Sequence, residues 1–479
     1  MASRQGYQSL RLLLLLLSCV SSEKFWHSCL VGHSLADDSL ESDRVVDISN
    51  PMDFHKSIFG HVKSKESCAH TVNDWETRPH SVSITDFGAV GDGKTVNTHA
   101  FENAMFYLRS YADKGGAQLY IPAGRWLTGS ITLISHLTLF LEKGATILGS
   151  EDLNDYPIIP GLPSYGRGRE LPGPRYSGLI NGNGLEDIII TGDNATIDGQ
   201  GAVWWNGFRN KTLNYTRPHL VELIESQDIL ISNLTFQNSP FWTIHPVYCK
   251  NVVVKHMTIL NPLHAPNTDG IDPDSSQHVC IEDCYISVGD DAISIKSGWD
   301  QYGTSFGMPS QHIRIRRIVA FSRSSAGISF GSEMSGGISN VKVDDMVVSG
   351  ARWGVRFKTA VGRGAYIRNV TVNNIVMHSV RTAIAFMGNY GEHPDDNWNR
   401  TAYPVIENIL VQNIVGENIT QAGLLLGLPE APFHDIRLAN IALEVRSTKH
   451  IWNCSSVAGS YFFVLPQPCL ELTRENFTV

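Results

Sequence analysis

The residues of this chain best suited to chemistry are aspartates set beside glycines. Asn267-Thr268-Asp269-Gly270-Ile271-Asp272 and Gly289-Asp290-Asp291 bring candidate acids Asp269, Asp290 and Asp291 into one stretch, and Arg356-Phe357-Lys358 follows with two cations alternating along one strand face. Carboxylates that crowd together raise one another's pKa, so one can hold a proton while another stays ionised at mildly acidic pH. That is the equipment of an inverting glycosidase, and the cations suit an anionic sugar polymer. Singly, each segment is weak. Asn-Thr-Asp-Gly is usually a turn, Arg-x-Lys on a strand is usually solvated, and Gly-Asp-Asp is as readily a turn or a calcium site. What matters is whether the fold gathers them.

A pattern of polar, aliphatic, any, aliphatic recurs from Asp187, Asp228, Asn251, His278, His312, Asn340, Asn369, Asn408 and Asp435, at intervals of roughly 23 to 41 residues. Each copy reads as a short strand with Ile or Val at alternate positions, as in Asn340-Val341-Lys342-Val343. No copy can bury its apolar face alone, so stacked coils of a parallel β-helix are expected, with the longer intervals as loops. A solenoid needs capped ends. Asn97 or Thr98 is placed to N-cap a helix whose apolar face includes Phe101, Ala104, Met105 and Leu108.

Stacking converts sequence into geometry. Aligning Ile271, Ile293, Ile328 and Val355 as one inward column puts Asp269, Asp291, Ala326 and Trp353 in register on consecutive rungs, about 4.8 Å apart. Asp269 and Asp291 then become neighbours, with Asp290 one position earlier. Gly289 suggests a bend that lets Asp290 and Asp291 both reach solvent, and carboxylates so arranged can leave the roughly 6.5 to 9.5 Å gap that an inverting mechanism uses for water.

These segments, with Gly331-Ser332-Glu333-Met334-Ser335-Gly336-Gly337 between them, resemble glycoside hydrolase family 28, the polygalacturonases that cut pectin. The resemblance runs from Ile84-Thr85-Asp86-Phe87-Gly88-Ala89 through Ile197-Asp198-Gly199-Gln200-Gly201 to about Glu430. It implies an all-β fold, the right-handed parallel β-helix of the pectin-lyase-like kind, with an N-terminal capping helix. It implies Asp290 as general acid, Asp269 and Asp291 orienting and deprotonating the attacking water, Arg356 and Lys358 gripping a galacturonate carboxylate, and Asn267 orienting a carboxylate or hydroxyl. The implied partner is a pectic polysaccharide acted on by a monomer, with no metal and no other cofactor. One element departs: where the family usually has a histidine, this chain has Ala326, in the column of Asp269 and Asp291, and His264 or His245 are the candidates to fill the gap. Asp272-Pro273-Asp274-Ser275-Ser276, Lys296-Ser297-Gly298 and the Gly331 to Gly337 segment look more like the exo-acting members, and loops at 163–169 and 388–393 are long enough to wall off one end of a cleft. Rhamnogalacturonan and xylogalacturonan stay open as substrates. A secreted lyase and a catalytically weak pectin-binding β-helix stay open as other classes.

The chain's 479 residues can fold as one elongated domain, and its net charge of −9 argues against nucleic acid while leaving room for local basic clusters such as Arg352, Arg356, Lys358, Arg363 and Arg368. Arg4 and Arg11 precede an apolar run, Leu12 to Leu17, that reads as a secretory signal cleaved near Ser22 and too short to span a bilayer. An extracellular or cell-wall destination follows, with no membrane partner. Glycan acceptors at Asn194, Asn210, Asn214, Asn233, Asn369, Asn399, Asn418, Asn453 and Asn476 agree. Expected segments are the signal (1–22), an N-terminal extension (23–80), the β-helix (81–450) and a C-terminal tail (451–479). Cys454 and Cys469 are expected to pair across that tail, and Cys280 and Cys284 read as buried strand residues.

Overall fold

The computed structural model describes residues 51–60, 68, 78–446 and 451–475. The expected signal segment and the acceptor Asn476 lie outside them. The chain divides at Cys68: the described part of the first unit is one helix, Pro51–Phe59, with Phe54, His55 and Phe59 buried.

The second unit is the expected right-handed parallel β-helix. Long strands Gln277–Val288, Ser310–Ser322, Ile338–Ser349, Tyr366–His378, Val405–Ile419 and Phe433–Val445 pair in parallel, each with the next. Between them in sequence, Ile293–Ile295, Ala326–Phe330, Trp353–Lys358, Thr382–Met387 and Gln421–Leu426 form a second parallel ladder, the site sheet. Each coil thus gives one strand to each sheet, and alternate Ile and Val residues fill the space between them.

The polar residue that opens each repeat has a backbone reason to be there. All nine, from Asp187 to Asp435, have φ between 52 and 57°, the left-handed region. A second series, Asp283, Arg317, Asp345, Asn374, Asn413 and Asn440, does the same in the middle of the long strands and bends them. L-residues pay about 1–2 kcal/mol to sit there, and Asn and Asp tolerate it best. The corner side chains also stack into ladders. Asn408 Nδ2 donates to Asn369 Oδ1 at 2.8 Å, Asn369 Nδ2 to Asn340 Oδ1 at 3.2 Å, and the rings of His278 and His312 lie parallel with centroids 4.9 Å apart.

The capping helix is Thr98–Leu108, with Phe101, Ala104, Met105 and Leu108 buried in the main core. Neither expected cap acts as one. Asn97 is spent inside its loop, on Val90 and on the Leu127 carbonyl, and Thr98 Oγ1 accepts from Gly129 N.

Two further expectations need correction. Residues 451–475 are not a tail but a last coil: Trp452–Ser455 pairs with Gln421–Leu426, and Val457–Leu465 with Phe433–Val445. Cys454 does pair with Cys469. Cys280, however, forms a disulfide with Cys68. Val279 and Ile281 take the inward positions, so Cys280 faces outward onto a small apolar patch of Ile189, Leu230 and Val253, where Cys68 meets it. Cys284 is buried and free, as is Cys249. Arg78, also placed in the extension, holds Asp187 with two hydrogen bonds of 2.7 Å. Among the described residues, no helix is long and apolar enough to cross a membrane.

The corner ladder is testable at Asn413, which has φ 55°, donates to Asn373 Oδ1 at 2.7 Å and accepts from Asn440 Nδ2 at 3.1 Å. Asn413→Ala loses both bonds and strains the corner, so denaturant unfolding should show a loss of about 2 kcal/mol. Asn413→Gly keeps the corner and should lose about half as much.

Candidate active site

The expected column exists. Ile271 bridges to Ile293, Ile293 pairs with Ile328 and Ile328 with Val355, while Ala326 pairs with Trp353. In a regular strand the aspartate two residues before an inward isoleucine would also point inward. It does not, because the residue between them is inward as well: Ala292 and Ile293 both lie in the core, as do Ala383 and Ile384. That position holds Gly270, Ala292, Gly327, Gly354 and Ala383 in successive rungs. A Cβ on Gly327 would lie 2.5 Å from Val348 Cγ2, and one on Gly270 2.4 Å from the Ala292 carbonyl oxygen. This column of small residues breaks the alternation and turns Asp269 and Asp291 outward.

The two neighbouring aspartates then diverge. Asp290 is partly exposed and lines a cleft of roughly 400 Å³ with Asp269, Asn267 and Lys358. Asp291 is fully buried. Its Oδ1 accepts from Ser325 Oγ at 2.5 Å and Ala326 N at 2.9 Å, and its Oδ2 from Lys358 Nζ at 2.7 Å. The expectation that both reach solvent is therefore wrong. Gly289 serves close packing instead: a Cβ there would lie 2.1 Å from the Ala265 carbonyl oxygen. The carboxylates are also tighter than expected. Asp269, Asp290 and Asp291 each present an oxygen within 4.8 Å of the others, rather than across a gap of 6.5 Å or more.

Of the two cations, only Lys358 lines the cleft. Arg356 is buried with its guanidinium 3.6 Å from the Trp353 ring centroid and 5.4 Å from that of Tyr390. Asn267 Oδ1 accepts from Arg217 Nη2 at 2.9 Å. Arg363 is buried against Asp300 and Arg368 pairs with Glu407, so neither belongs to the cleft. Neither candidate histidine takes the missing place. His245 is buried between Glu222 and Asp274, at 3.1 and 3.3 Å, and His264 is exposed outside the cleft lining. Ala326 instead packs with Trp353 and Ala385.

Three site residues were not singled out from the sequence. Lys296 Nζ sits 3.6 Å from Asp269, 3.5 Å from Asp272 and 3.4 Å from Glu333, and 4.2 Å from the Trp242 ring centroid. Glu333 also accepts from Arg169 Nε at 2.8 Å. Asp272 is fully buried, and neither oxygen has a hydrogen-bond partner, Lys296 being its ion-pair neighbour. The signal for two of them lay in the column alignment. One position past the isoleucines come Asp272, Ser294, Ser329 and Arg356; three past come Asp274, Lys296, Gly331 and Lys358. The loops expected to wall the cleft do meet, through Arg169 Nη2 and Glu392 at 2.7 Å.

Charge in this cluster is unevenly held. Burial raises the pKa of Asp290, the Asp291 charge raises it further, and Lys358 only partly opposes them. Asp269 is raised well above the usual carboxylate range by burial and by Asp272 and Asp290, against the pull of Lys296. Burial also works against ionised Asp291, but Lys358, Arg356 and the hydrogen bond from Ser325 outweigh it and hold its pKa low. Lys296 stays charged despite burial because Glu333, Asp272 and Asp269 surround it.

Burial carries Asp272 from 3.8 to about 7, Lys296 and His245 notwithstanding. A carboxyl raised in this way binds more protons folded than unfolded between about pH 4 and 7, so its contribution to stability falls as pH rises through that window. Asp272→Asn should therefore gain on the wild type as pH rises from 4 to 7, by about 1–4 kcal/mol in thermal unfolding. A pH-independent difference would remove the proton from Asp272.

The model for glycosyl hydrolases family 28 matches residues 119–462. A probable polygalacturonase of Vitis vinifera is 49% identical over 401 residues, 83% of this chain and 82% of that protein. The crystal structure of a hyperthermoactive exopolygalacturonase from Thermotoga maritima superposes with a TM-score of 0.69 at 29% identity, covering 78% of this chain and 89% of that one. An exo-poly-alpha-D-galacturonosidase of Dickeya chrysanthemi is 27% identical over 389 residues, 71% of this chain and 63% of that protein. With the family model spanning most of the chain and every coil that carries the aspartate cluster, the chain belongs to glycosyl hydrolases family 28 and is a glycoside hydrolase.

Proposed function

We propose that this enzyme is a secreted, monomeric polygalacturonase that removes galacturonate from one end of de-esterified pectin. The observation that carries the reading is one cleft in which Asp290, a carboxyl whose pKa burial and the Asp291 charge raise, stands beside lysines held charged, Lys358 and Lys296. A uronate polymer supplies both the glycosidic oxygen to protonate and the carboxylates to bind. Similarity to exo-acting relatives and the closed wall at Arg169 and Glu392 support attack from a chain end.

In this mechanism Asp290 protonates the leaving oxygen. Asp269 takes the proton of a water held between it and Asp291, helped to ionise by Lys296 at 3.6 Å. Asp291, with its ionisation secured by Lys358 and Ser325, supplies fixed negative charge: it keeps the Asp290 proton in place beforehand and stabilises the cationic sugar in the transition state. Lys358 and Asn267 orient the substrate, while Arg356 acts from behind Trp353. Oxygens within 4.8 Å of one another still allow one water to hydrogen-bond to two carboxylates.

Asp290→Asn keeps the shape and removes the proton, so kcat on polygalacturonate at about pH 5 should fall by about 10²–10⁴-fold with KM little changed. Proton NMR of the first product should show the inverted anomer, and sizing should show monomer alone. A retained anomer would exclude single displacement, a product ladder would exclude end attack, and an unsaturated product would mark a lyase.

A further inference from the structure

A second groove, outside the catalytic cleft, opens where the chain turns into the site sheet. The turns after Ser310–Ser322, Ile338–Ser349, Tyr366–His378 and Phe433–Val445 place Arg323, Arg352, Arg381 and Arg446 around a space of roughly 460 Å³. All four are exposed, no acidic side chain lines the groove, and among the described residues no carboxylate pairs with them. Like charges on neighbouring rungs repel, so the arrangement is unfavourable until something anionic fills it. The hydroxyl residues Ser324, Ser379 and Thr420 also line it, with Asn418 beside them.

Side-chain contacts link the groove to the catalytic residues. Arg352 and Arg356 both stack on Trp353, at 4.3 and 3.6 Å from its centroid. Arg356 in turn lies over Tyr390, which lines the cleft. Ser324 Oγ donates to the carbonyl of Gly289, next to Asp290.

We propose that this arginine groove is a binding site for the uronate carboxylates of the substrate chain that extends out of the cleft, away from the wall at Arg169 and Glu392. The inference rests on the polygalacturonide reading above. Guanidinium forks match carboxylates in pairs, and sugar hydroxyls can meet Ser324 and Thr420. Such a site would let the enzyme hold the polymer while only its end is cut.

The test is R323Q/R381Q/R446Q, which leaves Arg352 on Trp353. Asn418 is a glycan acceptor by sequence and lines the same groove, so enzymatically deglycosylated protein is used. On long galacturonate chains at low salt, KM should rise about tenfold with kcat unchanged. KM on the trimer should not move, and the long-chain difference should shrink in about 0.5 M salt. Equal KM values for variant and parent on long chains would overturn the proposal. Calorimetric binding of both substrates to Asp290→Asn protein, with and without the three changes, separates this from a failure of the hydrolase reading. Selective loss of long-chain affinity upholds the groove even without turnover, and unchanged affinity refutes it.

Discussion

Everything in this molecule depends on one repeated backbone requirement: each coil must turn at the same place as the coil beneath it. The turns are made by residues in the left-handed region, and a residue held there must have a side chain that tolerates it. Asn and Asp dominate the corners, and once they are stacked at strand spacing their amides and carboxylates hydrogen-bond from rung to rung. The corner therefore sets both the bend and the register. With register set, aliphatic residues fall into inward columns and chemistry falls into outward ones.

The outward columns of the site sheet distribute charge by burial. Asp291 and Lys358 form a buried pair, with the rest of the Asp291 carboxylate met by Ser325 and a backbone N–H. Lys296 is shared among three carboxylates and faces an indole. Removing one member of such a group leaves an uncompensated buried charge, which typically costs about 3–5 kcal/mol. The same low exposure raises the pKa of Asp290 and Asp269 above that of a surface aspartate, and Lys296 opposes the rise at Asp269. Stability and proton placement here have one cause.

Much of this was legible from residue types alone. The repeat, the capping helix and the column of Ile271, Ile293, Ile328 and Val355 follow from periodicity and stacking, and the Cys454–Cys469 pair from two cysteines close together near the C-terminus. What escaped has physical reasons. Strand alternation says that Cys280 faces away from the core, but not that a residue some two hundred positions earlier returns to meet it. The last coil lacks the polar opening residue in a regular place, so its strands read as a tail. Asp290 and Asp291 look equivalent in sequence. Ser325 and Lys358, which bury one of them, come from later rungs. Lys296 is legible as part of the Lys296-Ser297-Gly298 segment and in the column alignment, but the carboxylates that share it, Asp269, Asp272 and Glu333, come from other rungs.

The stack of rungs has a further consequence for how such a site can vary. Asp269, Asp291, Ala326 and Trp353 occupy one column on successive rungs, and rungs are separated by about 4.8 Å. A functional group can move along the groove only by changing rung, so separations between groups on this sheet come in whole steps. Fine adjustment has to come from the loops between rungs or from side-chain length. At Ala326 the short side chain leaves the Asp291 carboxylate to be held by the Ala326 backbone N–H and Ser325 instead. A glycosidase built this way changes its chemistry like a keyboard, one position at a time, with the frame unaltered.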